Sequence, residues 1–174
     1  MINLQQNHFE LFGLPQRYDV DLARLEISYR SIQSRVHPDK FVHAGDAERR
    51  ISVQSSTHAN EAYRTLKDPL ARACYLLGLR RVDVQGGRNS ALSSEFLQRQ
   101  MEWREAVEEA ALRPEVLSAL ARRLRDEMDD HYAELARRLD GEGDPAPAAD
   151  LVRRLMFLER LRVEIGDALE RAEA

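Results

Sequence analysis

Leu22, Leu25, Tyr29, Ile32 and Val36 recur at alternating steps of three and four, which places them on one face of an α-helix. The opposite face carries Arg24, Ser28, Ser31 and Arg35, with Arg30 beside it. Asp21 is suited to cap this helix, which the pattern carries to Val36. There it stops at His37-Pro38-Asp39: the proline ring disfavours helical dihedrals at His37 and leaves residue 38 without a donor. An imidazole, a rigid ring and a carboxylate therefore stand on an exposed turn, followed by a loop over Asp39–Gly45. Asp46 is a candidate cap for a second helix reaching Leu66, whose Ile51, Ser55, His58, Ala59, Ala62 and Leu66 can fold back antiparallel on the first.

The same reading extends to both sides. Phe9, Leu11, Phe12 and Leu14 crowd a short helix over Asn7–Leu14, ended by Gly13 and Pro15. Asp68-Pro69 opens another, packed by Leu70, Ala73, Leu76 and Leu77 and terminated by Gly78. Residues 80–91, with Gly86, Gly87, Asn89 and Ser90, hold no period and read as a linker between domains at 1–79 and 92–174. Beyond it, Ser93 or Ser94 caps a helix to Leu112 with Phe96, Gln100, Trp103, Val107 and Ala110 inward. Pro114 opens the next, striped by Leu117, Leu120, Leu124, Met128, His131, Leu135 and Leu139. Residues 141–147 break it, and Leu151, Leu155, Leu158, Leu161, Ile165 and Leu169 mark the last helix. With no competing strand signal, the fold class is all-α: a small N-terminal helical hairpin bundle, then a C-terminal three-helix bundle.

The tripeptide alone also fits an ordinary helix stop with solvated side chains. The flanking residues change this: Tyr29-Arg30 before it, Lys40-Phe41 after it, then Asn60-Glu61-Ala62-Tyr63 and Leu66, with Phe9-Leu11-Phe12-Gly13-Leu14-Pro15 near the start. Together they resemble the J domain, the module that stimulates the ATPase of DnaK-type chaperones. A J domain followed by a helical domain is similar to the HscB family, the J-type co-chaperones of iron–sulfur cluster assembly, over essentially the whole chain. The resemblance implies that Asp39 engages basic or amide groups of the ATPase, HscA, with His37 and Pro38 holding it. It further implies that Arg24, Arg30, Arg35 and Lys40 meet an acidic groove.

On the helix after Ser94, Leu97 and Met101 sit beside the inward row, and Gln98, Glu102, Glu105 and Glu109 lie outside them. Phe157 shares an otherwise charged row with Arg153, Arg160 and Glu164, which sets its ring off the main stripe. From spacing alone, a docking face and the solvated margin of a broad stripe fit equally well. The resemblance implies the first, a surface for the cluster scaffold IscU made by Leu97, Gln98, Met101, Glu102, Glu105, Glu109 and Phe157. Gln98 departs from the family's more apolar pattern at that position. A J-domain co-chaperone serving a different client is the alternative reading.

Composition narrows the rest. The chain is 43% hydrophobic and 32% charged, as suits a folded protein, and its net charge of −4 sets up no basic field for nucleic acid. Residues 1–78 hold 10 Lys+Arg against 9 Asp+Glu and the remainder 16 against 21, a contrast suited to two different partners. Arg122-Arg123-Arg125, Arg137-Arg138 and Arg153-Arg154 are interleaved with acids and read as salt-bridged helix surface. The five His are scattered without zinc-site spacing, and no Ser or Cys nucleophile accompanies His37 and Asp39. The single Cys74 reads as a buried small hydrophobe and cannot by itself supply a cluster site. The expectation is a cytoplasmic binding protein, without enzymatic activity, cofactor, metal or membrane segment.

Overall fold

In the computed structural model, residues 3–84, 94–110, 113–141 and 144–173 are described. The chain divides into two compact units, Met1–Leu76 and Leu77–Ala174. All regular structure among the described residues is helical: α1 (His8–Leu11), α2 (Leu22–Val36), a 3-10 turn (Pro38–Phe41), α3 (Asp46–Lys67), α4 (Pro69–Leu79), α5 (Ser94–Ala110), α6 (Pro114–Asp140) and α7 (Ala146–Glu173).

In the first unit, α1 is a single turn closed by a capping box. The Asn7 Oδ1 accepts the Glu10 N–H at 3.0 Å, and Glu10 Oε2 accepts the Asn7 N–H at 3.0 Å. It stops at Leu11 rather than Leu14, because Gly13 turns left-handed (φ 63°) and the Leu14 N–H donates back to the Phe9 carbonyl at 2.9 Å. The turn tucks Phe9, Leu11, Phe12 and Leu14 into the core. Asp21 caps α2 as the sequence indicates, accepting the Arg24 N–H at 2.9 Å. Asp46 is instead the first residue of α3, with Gly45 in the cap position and no side-chain cap. Asp68 caps α4 through the Ala71 N–H at 2.7 Å. Gly78 does not end α4; the left-handed residue is Arg81 (φ 59°), and the Val82 N–H closes the end on the Leu77 carbonyl at 3.0 Å.

The core lies between α2 and α3, where Leu25, Ile32 and Val36 meet Ala59, Ala62 and Leu66. Small residues on α3 let the helices approach closely, and polar bonds fix an antiparallel register. Tyr29 Oη donates to Asn60 Oδ1 at 2.8 Å, Ser56 Oγ to Gln33 Oε1 at 3.2 Å, and Ser52 Oγ to the Val36 carbonyl at 2.7 Å. Leu22 lies 51% exposed, outside the stripe to which its spacing assigns it, and Ile51 is exposed as well. Leu22 is the first residue of α2, at the end of the hairpin, and Ile51 borders a small cavity with Val36 and Phe41.

His8 stacks on Tyr75 with ring centroids 4.0 Å apart and meets the His58 ring edge at 5.7 Å. Its Nδ1 and His58 Nε2 are buried without a hydrogen-bond partner among the described residues. Burial, then the neighbouring His58, hold the His8 imidazole below its ordinary pKa, while Glu61 pulls weakly the other way. Below about pH 6.5 the unfolded chain takes up this proton more readily than the folded one, so stability falls with pH there. Thermal melts from pH 7.5 to 5 are expected to show this decline, and His8→Gln to flatten it; an unchanged slope in the variant would exclude His8 as its source.

In the second unit, Trp103 and Ala110 of α5, Leu117, Leu124, Met128, Leu135 and Leu139 of α6, and Val152, Leu155, Leu158, Leu161 and Ile165 of α7 are buried. Leu120, Leu151 and Leu169 are half-buried at the margins of their stripes. α7 starts at Ala146, so Pro147 lies inside its first turn, where no N–H is needed, rather than in the break. Arg80 donates to the Leu139 carbonyl at 2.7 Å and Arg153 to the Val84 carbonyl at 3.3 Å, which fastens 80–84 to this unit. Residues 85–91 of the expected linker, and the expected end of α5 at Leu112, lie outside the described residues.

Candidate functional sites: an exposed turn and a grooved helix face

The His37-Pro38-Asp39 turn is built from α2 outward. The His37 backbone (φ −58°, ψ 129°) leaves the helix while its N–H still donates to the Gln33 carbonyl at 3.0 Å. Pro38 opens a 3-10 turn instead of a loop, closed by the Lys40 N–H on the His37 carbonyl at 3.0 Å. The imidazole caps that turn: Nδ1 accepts the Asp39 N–H at 3.3 Å and lies 3.5 Å from Asp39 Oδ2. The Asp39 side chain remains 86% exposed. These bonds restrain the backbone that carries Asp39 and leave its carboxylate open to solvent.

The four basic residues do not act alike. Arg24 donates to the Gly13 carbonyl at 2.9 Å and lies about 20 Å along α2 from the turn. Arg30 pairs with Glu26 at 2.7 Å. The Glu26 carboxyl is held below its ordinary pKa by the Tyr63 hydroxyl and then by Arg30. Arg35 and Lys40 make no ion pair among the described residues, and they flank the turn. Arg35 also edges a cavity of about 140 Å³ with Phe41, Ile51 and Ser52.

Three residues support this site without any signal in spacing. Ser52 is buried and takes up the Val36 carbonyl at the very end of α2. Tyr63 stacks on Tyr29 at 4.1 Å, and Asn60 accepts from both Tyr29 and Gln33. Asn60 and Tyr63 belong to the stretch that carries the J-domain resemblance; their geometry supplies a reason, since they lock α3 against the helix that bears the turn.

On the second unit, Leu97 and Met101 are 46% and 62% exposed, and Glu102, Glu105 and Glu109 are exposed beside them. Gln98 Nε2 donates to Glu102 Oε1 at 3.1 Å. Phe157 is half-buried, its ring edge-on to Phe96 at 6.1 Å. Between α5, α6 and α7 runs a groove of about 500 Å³ lined in part by Gln98, Glu102 and Phe157; Leu97, Met101, Glu105 and Glu109 are not among its lining residues. His131, which the spacing puts in the α6 core stripe, is half-buried on the wall of this groove. Burial lowers its pKa. Arg99, on α5, lies 3.5 Å from Glu102 of the same helix and 3.2 Å from Glu127 of α6.

Trp103 is buried, with the Arg123 guanidinium 4.7 Å over its ring. Cys74 is half-buried rather than buried, and desolvation raises its thiol pKa, which keeps it protonated near neutrality. Among the described residues, no cluster of three or more His, Cys, Asp or Glu could hold a metal ion, and no helix is long and apolar enough to cross a membrane.

A sequence model described as the HSCB C-terminal oligomerisation domain matches residues 92–166. A co-chaperone protein HscB homolog from Burkholderia multivorans is 50% identical over 175 residues, covering 99% of each chain. The chain belongs to the HscB co-chaperone family. Among solved structures, chaperone HscB from Vibrio cholerae is 33% identical with a TM-score of 0.84, covering 96% of this chain and 99% of that one. Human co-chaperone protein HscB, at 23% identity, shares the fold with a TM-score of 0.89 over 99% of this chain and 85% of its own. Membership of the HscB family extends over both units, so the first is a J domain and the second the family's C-terminal helical domain. Within that HscB architecture, His37, Pro38, Asp39, Lys40 and Arg35 gather at the tip of one hairpin. Arg30 and Arg24 follow along α2, each engaged within the chain.

Proposed function

We propose that this protein is a cytoplasmic, non-enzymatic co-chaperone that stimulates the ATPase of HscA and delivers the scaffold IscU to it during iron–sulfur cluster assembly. The observation that carries the reading is the Asp39 carboxylate, exposed on a turn whose backbone is fixed by the His37 cap and the 3-10 hydrogen bond. Such a group can enter a partner's cationic site at little ordering cost. Arg35 and Lys40 steer the encounter with an acidic surface, while Arg30 and Arg24 contribute at longer range. Docking favours the ATPase conformation that hydrolyses ATP, a coupling between sites on HscA that needs no nucleotide on this chain.

Leu97, Met101 and Phe157 supply the apolar contacts for IscU, with Gln98, Glu102, Glu105 and Glu109 as a polar and acidic rim. Carrying both surfaces on one chain raises the effective concentration of IscU at HscA. Steady-state ATP hydrolysis by HscA tests this reading. The rate should rise on adding the chain and rise further when IscU is also present. A rate indifferent to the chain overturns the co-chaperone assignment, and one indifferent to added IscU overturns the delivery role.

A further inference from the structure

The groove beside the Leu97/Met101 face carries a cation that the rest of the site does not use. Arg154, on α7, is half-buried on the groove wall with its guanidinium 6.0 Å over the Phe96 ring, and it makes no ion pair among the described residues. The other guanidinium in the groove, Arg99, is committed to Glu102 and Glu127. His131, on α6, lines the same groove; burial and the cations Arg154 and Arg99 keep its imidazole uncharged near neutral pH, against the pull of Glu127 and Asp130. Arg154 is thus the standing positive charge on the α7 side, and Phe157 and Leu158 follow it on the same helix. The α5 side carries Glu95 and Glu102. The two helices therefore differ in chemistry: α7 brings a cation without an ion-pair partner among the described residues next to apolar carbons, whereas the α5 guanidinium, Arg99, is already held by Glu102 and by Glu127 of α6, with Glu95 beside them.

We propose that Arg154 receives a carboxylate side chain of the scaffold protein, an Asp or Glu lying next to an apolar residue that packs on Phe157. This deepens the scaffold-docking reading and rests on it. It also gives the partner a pattern: an acid turned toward α7, an apolar residue between the walls, and basic residues turned toward Glu102, Glu105 and Glu109. A partner that were only basic and apolar would leave Arg154 desolvated beside a cation of its own sign, at a cost in affinity. The groove's volume of about 500 Å³ leaves room for side chains of this size.

The test uses the full chain and purified scaffold protein in calorimetric titrations at two salt concentrations. Arg154→Gln is expected to weaken binding about tenfold and to make it less salt-dependent, with only a small drop in melting temperature from the lost contact with Phe96, while Arg154→Lys keeps most of the affinity. A double-mutant cycle pairs Arg154→Gln with Asn or Gln replacements of the scaffold's acidic residues, taken singly. One carboxylate should couple to Arg154 by at least about fivefold, a result that a general loss of stability does not mimic. If Arg154→Gln binds as tightly as the parent, or no carboxylate couples, the proposal is overturned while Leu97→Ala/Phe157→Ala still weakens binding. If that double variant also binds normally, the docking face itself is wrong.

Discussion

His37→Gln should leave HscA hydrolysing ATP at its unstimulated rate while IscU binds the variant as tightly as the parent chain. The imidazole Nδ1 accepts the Asp39 N–H at 3.3 Å and so fixes the backbone that carries the carboxylate; as an acceptor it has no proton to give Asp39 Oδ2, 3.5 Å away. A glutamine has more rotatable bonds and no ring to keep its acceptor over that N–H, so the backbone of the turn that carries Asp39 gains conformations that docking must then remove. Loss of an interface anchor costs at least about 2 kcal/mol, roughly thirtyfold in apparent affinity. His37 is exposed, and its replacement is expected to change folding stability by no more than about 0.5 kcal/mol. The scaffold face lies in the other compact unit, more than fifty residues along the chain. Full stimulation by the variant would remove the turn from the mechanism.

The second large effect is expected for Leu97→Ala combined with Phe157→Ala. Leu97 presents nearly half its surface to solvent, and Phe157 borders the groove with its ring edge against Phe96. Two apolar anchors at the centre of a docking face, each contributing about 1–2 kcal/mol, make the expected loss of IscU affinity about a hundredfold. Leu97 has little folding role. Truncating half-buried Phe157 costs the bundle part of what a fully buried ring would, while the main core of α6 and α7 is untouched. Helical circular dichroism should therefore stay near that of the parent. Unchanged affinity by calorimetry would return both residues to ordinary surface.

Much of this could be read from the chain because helical periodicity is a strong signal where apolar residues sit on one face. The core positions Leu25, Ile32, Val36, Trp103, Leu124 and Leu155 follow from spacing alone. So does the stop at Pro38, because the ring's constraint is local. Where expectation and structure part, the cause is tertiary. Leu22 fits the α2 stripe but is the first residue of that helix, at the open end of the hairpin, and is half exposed. Gly78 is a terminator because it lacks a side chain, yet α4 continues to Leu79 and the left-handed residue is Arg81. His131 fits the α6 stripe by spacing, but the helices part there into the groove.

The support of the turn was harder to see. Ser52 bonds to a carbonyl sixteen residues earlier, and a serine on a helix has no spacing that announces such a contact. Arg154 was hidden differently. It stands in a run of arginines that reads as solvated surface, and only the geometry separates Arg153, tied to Asp150 and the Val84 carbonyl, from its neighbour in the groove.

HscA is expected to grip the Asp39 carboxylate presented by the proline-started turn. Amide chemical shifts of the isotopically labelled chain, followed as the ATPase domain of HscA is added, test it most directly. The account predicts changes centred on residues 35–40 and spreading along the basic face of α2, with α5 and the groove undisturbed. Shifts confined to α5 and α7, with His37, Asp39 and Lys40 unmoved, would contradict it.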